Sequence, residues 1–137
     1  IIMAWTSMTN EISYLPILLY IGAIFWTLGY DTIYGVQDIS DDEVIGVKST
    51  TIKFKHNLGL FVGSCYLISS IIILFVMTNL KISYSLIFLL FFIFSLFYQI
   101  KIFVAKNPSE CLRAFKLNNI SGMLIFFSFF LLTIDAS

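Results

Sequence analysis

Five of the eight acidic residues, Asp31, Asp38, Asp41, Asp42 and Glu43, fall between positions 31 and 43. Asp38 and Asp42 are four residues apart, a spacing that points both carboxylates the same way on a helical turn. Asp31 lies seven residues, about two turns, before Asp38 and would share that face if one helix continued through both. Carboxylates this close repel one another, and near hydrocarbon an ionised acid is costly unless it is paired or metal-bound. A divalent cation relieves both problems. Mg²⁺ suits the pattern because it takes hard oxygen ligands, keeps several waters, and uses one or two carboxylates together with substrate phosphates. Such a site would grip a diphosphate. Lys48, in Gly46-Val47-Lys48-Ser49-Thr50, would bring a cation to the same oxyanion, and the Ser49 and Thr50 hydroxyls would add hydrogen bonds.

The same residues have a plainer use. Ser40 followed by Glu43 has the spacing of a capping box, which would make Asp41 and Asp42 helix-start acids in a solvated loop. Asp31 favours chemistry because it alone sits in the last turn of an apolar run, yet spacing and charge are compatible with either role. Elsewhere the signals are weaker. His56, the single histidine, has no base or nucleophile partner and is expected at an interface. Cys65 and Cys111 form no C-x-x-C and are expected to be structural thiols. Tyr98, Gln99, Asn118 and Asn119 are expected to hydrogen-bond between helices rather than reach a substrate. The Phe-rich run from Phe88 to Phe97 is expected to face lipid. No Gly-rich phosphate loop, G-x-S-x-G or zinc ligand set is present.

The elements that must position these residues follow from composition. The 137 residues are 59% hydrophobic and only 12% charged, against about 25% charged in a soluble domain. Mean hydropathy is +0.96, so the solvent around most of the chain is lipid. Soluble enzyme and disordered linker are excluded, and zero net charge argues against a nucleic-acid partner. Four spans are expected: Ile12 to Tyr34, Leu58 to Thr78, Ile82 to Val104, and a short one from Ile120 to Ile134 that could be extended backward through Leu112 to Leu117. Ile1 to Met8 reads as the end of an earlier helix. Two long polar loops, Gly35 to Asn57 and Ala105 to Asn118, hold or border seven of the eight basic residues, and only Lys81 falls on the opposite side. That bias predicts both loops on the cytoplasmic face.

The segment Tyr30 to Thr51 carries Y-D-T-x-Y, then D-x-x-D-D, then I-G-x-K-S-T. It closely resembles the second Asp-rich motif of the 4-hydroxybenzoate polyprenyltransferases, within the UbiA superfamily of intramembrane prenyltransferases. Glu110 to Gly122, E-C-L-R-A-F-K-L-N-N-I-S-G, is similar to that family's polar stretch before its last helix. The resemblance implies an all-α polytopic bundle, with positions 1–137 forming the C-terminal part of a nine-helix fold. It also implies transfer of a polyprenyl group from polyprenyl diphosphate to the ring of 4-hydroxybenzoate in ubiquinone biosynthesis. Carried over by position, Asp38 and Asp42 would hold Mg²⁺ and the diphosphate, with Asp31 a supporting carboxylate and Lys48, with Ser49 and Thr50, on the substrate side. The family's first motif, N-D-x-x-D, is not found in these 137 residues, so the chain is expected to carry half of an active site and to need an N-terminal half, in the same or a separate chain. The expected setting is the bacterial inner membrane, or the mitochondrial one with the acid loop on the matrix side. The alternatives are a related transferase with another aromatic or quinone acceptor, and an inactive split-gene remnant or non-catalytic membrane subunit.

Overall fold

A computed structural model describes residues 2–11, 13–80, 84–103 and 107–135. Its elements are all helices: α1 (Ile2–Thr9), α2 (Tyr14–Tyr34), α3 (Ile39–Ile45), α4 (Thr50–Lys53), α5 (Leu58–Leu80), α6 (Ser85–Ile102), α7 (Pro108–Lys116) and α8 (Asn118–Asp135). Four segments are long and apolar enough to cross a membrane: α2, α5, α6 and the run Ser109–Leu132 across α7 and α8. The expected spans are thus present, and the fourth does extend backward. Ile12, Ile82 and Val104, at expected span ends, lie outside the described residues, as do Lys81 and Lys106.

Local chemistry sets the ends. Ser13 caps α2 by accepting the Leu15 N–H at 3.4 Å, and Pro16 sits in the first turn, where its missing N–H costs nothing. Asn107 caps α7 through the Ser109 N–H, with Pro108 at its first position. The α7–α8 junction is a break in pairing more than a turn. Leu117 keeps helical angles, and its carbonyl accepts the Ile120 N–H at 3.0 Å and the Ser121 N–H at 3.2 Å.

The four long segments pack as two antiparallel pairs, α2 with α5 and α6 with α8, joined along α5 and α6. On α2, Gly22 and Gly29 let α5 approach. A Cβ on Gly22 would stand 3.1 Å from Ile73 Cγ1, and one on Gly29 would overlap the Tyr66 ring. Close backbone approach through small residues is the membrane substitute for a hydrophobic driving force between helices. Polar atoms then join the pairs. Tyr66 Oη donates to Gln99 Oε1 at 2.7 Å, and Gln99 Nε2 donates to Ser121 Oγ at 2.8 Å. Ser121 and Ser95 hydroxyls share a 2.7 Å hydrogen bond, and Ser128 Oγ donates to the Ser85 carbonyl at 2.8 Å. Tyr66, Gln99 and Ser121 are all buried. Trp26 Nε1 donates to Asn118 Oδ1 at 2.8 Å, tying α2 to the start of α8, and the Trp26 ring meets Phe92 edge-on. Gln99 and Asn118 therefore bond between helices as expected. Cys65 and Cys111 are buried and form no disulfide; along α6, Phe91, Phe94 and Phe97 are exposed as expected of lipid-facing rings, whereas Phe92 is buried in the core.

Two substitutions test this packing in detergent or lipid. Gly29→Ala, which drives a methyl into Tyr66, is expected to destabilise the bundle by about 1–3 kcal/mol. Gln99→Leu, which strands the Tyr66 hydroxyl and removes one donor from Ser121, is expected to cost about 1–2 kcal/mol. Equilibrium unfolding of each variant checks both values, and a Gly29→Ala protein as stable as the parent would contradict the close approach.

Candidate functional site

Alternating helix direction brings the C-terminal ends of α2 and α6 and the N-terminal ends of α5 and α7 to one end of the bundle, and the acid-rich segment lies there. Asp31 occupies the last turn of α2 with an exposed side chain. Its carbonyl accepts the Gly35 N–H at 2.8 Å, after which the chain tightens. Val36, Gln37 and Asp38 N–H groups bond to the carbonyls three residues back, Ile33, Tyr34 and Gly35. One continuous helix, the condition for Asp31 to share a face with Asp38, is therefore interrupted: α2 ends at Tyr34 and 3₁₀-type turns lead into α3. No three His, Cys, Asp or Glu side chains among the described residues gather where they could hold a metal ion.

Asp38 begins α3, and its carbonyl accepts the Asp42 N–H at 2.8 Å, so these two acids do stand one helical turn apart. The capping-box alternative is not realised. The N-cap is Asp38 rather than Ser40, its side chain makes no capping bond, and Ser40 lies inside the helix. Glu43 instead pairs with Lys55 at 2.6 Å. Gly46 ends α3 with φ of 79°, a left-handed conformation that glycine adopts without strain, and its N–H returns to the Asp42 carbonyl. Asp31, Asp38, Asp41, Asp42 and Lys48 have no ion-pair partner among the described residues.

The segment after Lys48 folds back on the end of α2. Ser49 Oγ caps α4 by accepting the Ile52 N–H at 3.3 Å. Thr32 Oγ1 donates to the Leu28 carbonyl at 2.7 Å, so in its 3.0 Å contact with Thr50 Oγ1 it is Thr50 that donates. Thr51 Oγ1 reaches the Thr32 carbonyl at 3.3 Å. Gly35 is required here, since a Cβ on it would come within 2.5 Å of Thr51 Oγ1. Thr32 and Gly35 from one motif and Thr50 and Thr51 from the other thus form one joint. Sequence reasoning did not find Thr32, Gly35 or Thr51, although two threonines beside a helix-end Gly are the available sign. It also missed Gln37, whose Nε2 is buried without a hydrogen-bond partner one residue before Asp38.

Two surface grooves open toward this end. One, of about 340 Å³, runs down the free face of α2 along Tyr20, Ala23, Ile24, Thr27 and Leu28 to Asp31. The other, of about 580 Å³, lies between α2 and α8 and is lined by Trp26, Tyr30, Asn118, Asn119, Gly122, Met123, Phe126 and Phe127. Phe115 of α7 packs on Tyr30 and Tyr34, with ring centroids 6.0 and 4.9 Å away, closing one side of the end of α2. His56 is exposed beside Lys55 and Asn57.

Removing the hydroxyl joint gives a direct test. Thr32→Val keeps the shape but lets α4 loosen, and tryptic cleavage after Lys53 is expected to accelerate several-fold, in line with about 1 kcal/mol lost per hydrogen bond. Lys55→Ala removes only an exposed ion pair and is expected to change global stability by under about 1 kcal/mol.

Residues 1–132 match the UbiA prenyltransferase family. Among curated relatives, a protein of Tolumonas auensis named 4-hydroxybenzoate octaprenyltransferase is 35% identical over 127 residues, covering 90% of this chain and 44% of its own length. Proteins of the same name from Vesicomyosocius okutanii and Saccharophagus degradans are 33% and 31% identical, covering 92% and 90% of this chain and 46% and 42% of theirs. The chain therefore spans a little under half the length of these relatives. No solved structure matches it. With a family match across nearly all its residues, and with four membrane-crossing segments, the chain belongs to the UbiA prenyltransferase family.

Proposed function

We propose that this chain works within a membrane enzyme that transfers a polyprenyl group from polyprenyl diphosphate to the ring of 4-hydroxybenzoate, a step of ubiquinone biosynthesis. The observation that carries this is the pair Asp38 and Asp42, one turn apart and without a cationic partner among the described residues, in the segment that follows the Asp31 end of the α2 groove in a UbiA-family chain. The relatives' shared name supports the substrates.

The donor set fits Mg²⁺ of a particular kind. Two exposed or half-exposed carboxylates are too few for a closed protein cage, and they suit an ion that completes its shell with water and phosphate oxygens. Held there, Mg²⁺ would supply positive charge to the diphosphate as the allylic C–O bond breaks and the leaving group takes the electron pair. Lys48, exposed and unpaired, binds phosphate oxygens directly, and Ser49 still has its hydroxyl proton to donate because its oxygen only accepts from Ile52. Thr50, whose proton goes to Thr32, has a lone pair left and chiefly positions the segment. Asp31, exposed in the last turn of α2, adds a supporting carboxylate and raises the negative potential at the mouth of the α2 groove. The groove between α2 and α8 takes the prenyl chain, and its Trp26 and Tyr30 rings keep water from the allylic cation and offer it π-faces. The new C–C bond forms ortho to the acceptor hydroxyl, and loss of the ring proton restores aromaticity. The acceptor pocket and the second acid pair come from the part of the protein that the relatives carry beyond this span. The excess of basic residues at this end supports a cytoplasmic orientation, and the bacterial relatives support an inner-membrane setting.

Membranes containing the whole protein are assayed for Mg²⁺-dependent transfer of labelled prenyl chain. Asp38→Ala and Asp42→Ala are each expected to lower the rate about 100-fold or more, consistent with removing electrostatic stabilisation of a leaving group. Near-normal rates in both variants would remove these acids from the mechanism. Acceptor competition in the same membranes reports whether 4-hydroxybenzoate or another ring is preferred.

A further inference from the structure

We propose that the outward face of α7 is a binding site for the headgroup of an anionic phospholipid, with Arg113 and Lys116 on the phosphate and Leu112 and Leu117 against the first part of an acyl chain. The helix divides cleanly. Cys111 and Ala114 are fully buried, and Phe115 packs on the tyrosines at the end of α2. On the opposite side, Ser109, Leu112, Arg113, Lys116 and Leu117 line a groove of about 320 Å³. That groove shares no lining residue with the two grooves assigned to the transfer site.

Its position and charge select the occupant. The run Ser109–Leu132 is long and apolar enough to cross a membrane, so α7 forms the first turns of a span and stands at headgroup depth. Arg113 and Lys116 are three residues apart, which places them side by side on the helix. Arg113 is 65% exposed and meets Glu110 only at 3.8 Å, a contact worth little in water, while Lys116 has no ion pair among the described residues. Lys101, in the last turn of α6, adds positive charge at the same end. Two adjacent unsatisfied cations flanked by leucines at the membrane surface match a phosphate joined to hydrocarbon better than a free anion, which has no use for the leucines. The field of basic residues near an anionic leaflet is worth about 1 kcal/mol per residue, about fivefold in binding for each.

The test uses the protein in nanodiscs of phosphatidylcholine doped with phosphatidylglycerol, released into the gas phase so that retained lipids are counted by native mass spectrometry. The native protein is expected to retain phosphatidylglycerol in preference to phosphatidylcholine. Arg113→Gln combined with Lys116→Gln is expected to lower that retention about 25-fold, and Arg113→Lys with Lys116→Arg to preserve it. A photoactivatable phosphatidylglycerol on the native protein, which needs no variant to fold, is expected to label residues 109–117. Equal retention of both lipids, unchanged retention in the double glutamine variant, labelling confined to other segments, or displacement by millimolar inorganic phosphate would each overturn the assignment.

Discussion

The packing of α2, α6 and α8 around α5 depends on Tyr66. Its ring fills the space that Gly29 leaves on α2, and its hydroxyl reaches Gln99 on α6, which in turn reaches Ser121 on α8. In lipid, four apolar helices have little reason to prefer one rotation over another, because a leucine is as well solvated by acyl chains as by a neighbouring helix. A buried tyrosine hydroxyl and a buried glutamine amide are different. Without water they must find each other, and only one rotation of α5, α6 and α8 lets them do so. Gly29 then fixes α2 by steric fit, since any side chain there would push Tyr66 and its hydrogen bonds out of place. One aromatic ring thereby couples a packing contact to a polar chain that spans the whole bundle.

That coupling reaches the acids through a second device of the same kind. With α2 held in rotation, Thr32 presents its hydroxyl and carbonyl to Thr50 and Thr51, and α4 is anchored on the end of the span. Between these anchors runs α3, which buries none of its residues and is held at its ends and by Glu43 to Lys55. The helix carrying Asp38 and Asp42 is thus the least packed element at that end, slung between two well-fixed points. Segments that bind and release ligands are drawn from such weakly packed regions. The α3 sequence shows the same economy, with Val44 and Ile45 88% and 75% exposed.

The spans were legible because hydropathy is decided by solvent. Runs such as Leu58 to Leu80 contain no charge and can only lie in lipid or in a core too large for this chain. The acid pair was legible because a four-residue spacing survives any helical turn. What the sequence concealed depends on contacts between distant residues. Asp31 was expected to share the face of Asp38 if one helix ran through both, and α2 instead ends at Tyr34, with 3₁₀-type turns at 36–38 before α3. Ser40 and Glu43 have capping-box spacing, yet the helix begins earlier at Asp38, and Lys55 takes the glutamate that a box would need. Ser49 and Thr50 read alike in sequence, but one caps α4 through its oxygen and the other gives its proton to Thr32. The family resemblance identified the segment as a unit, and the threonine joint gives a physical reason for its two ends to occur together.

On the proposed function, the openness of the acid pair has a consequence for timing. A closed cage of three or four carboxylates would hold its cation with or without substrate, and its charge would be largely neutralised before the diphosphate arrived. Two carboxylates on an exposed turn, Asp38 and Asp42, would hold such an ion only in part and leave room for phosphate oxygens, so the charges would be fully compensated only with substrate bound. The same would hold for Lys48, which has no carboxylate partner among the described residues and would be available to an incoming oxyanion. A rigid bundle locked by Tyr66 and a lightly held acid helix are complementary in this respect. On that proposal the bundle would keep the apolar groove in place for a long chain, and a helix with no buried residue would adjust to a diphosphate without disturbing the packing beneath it.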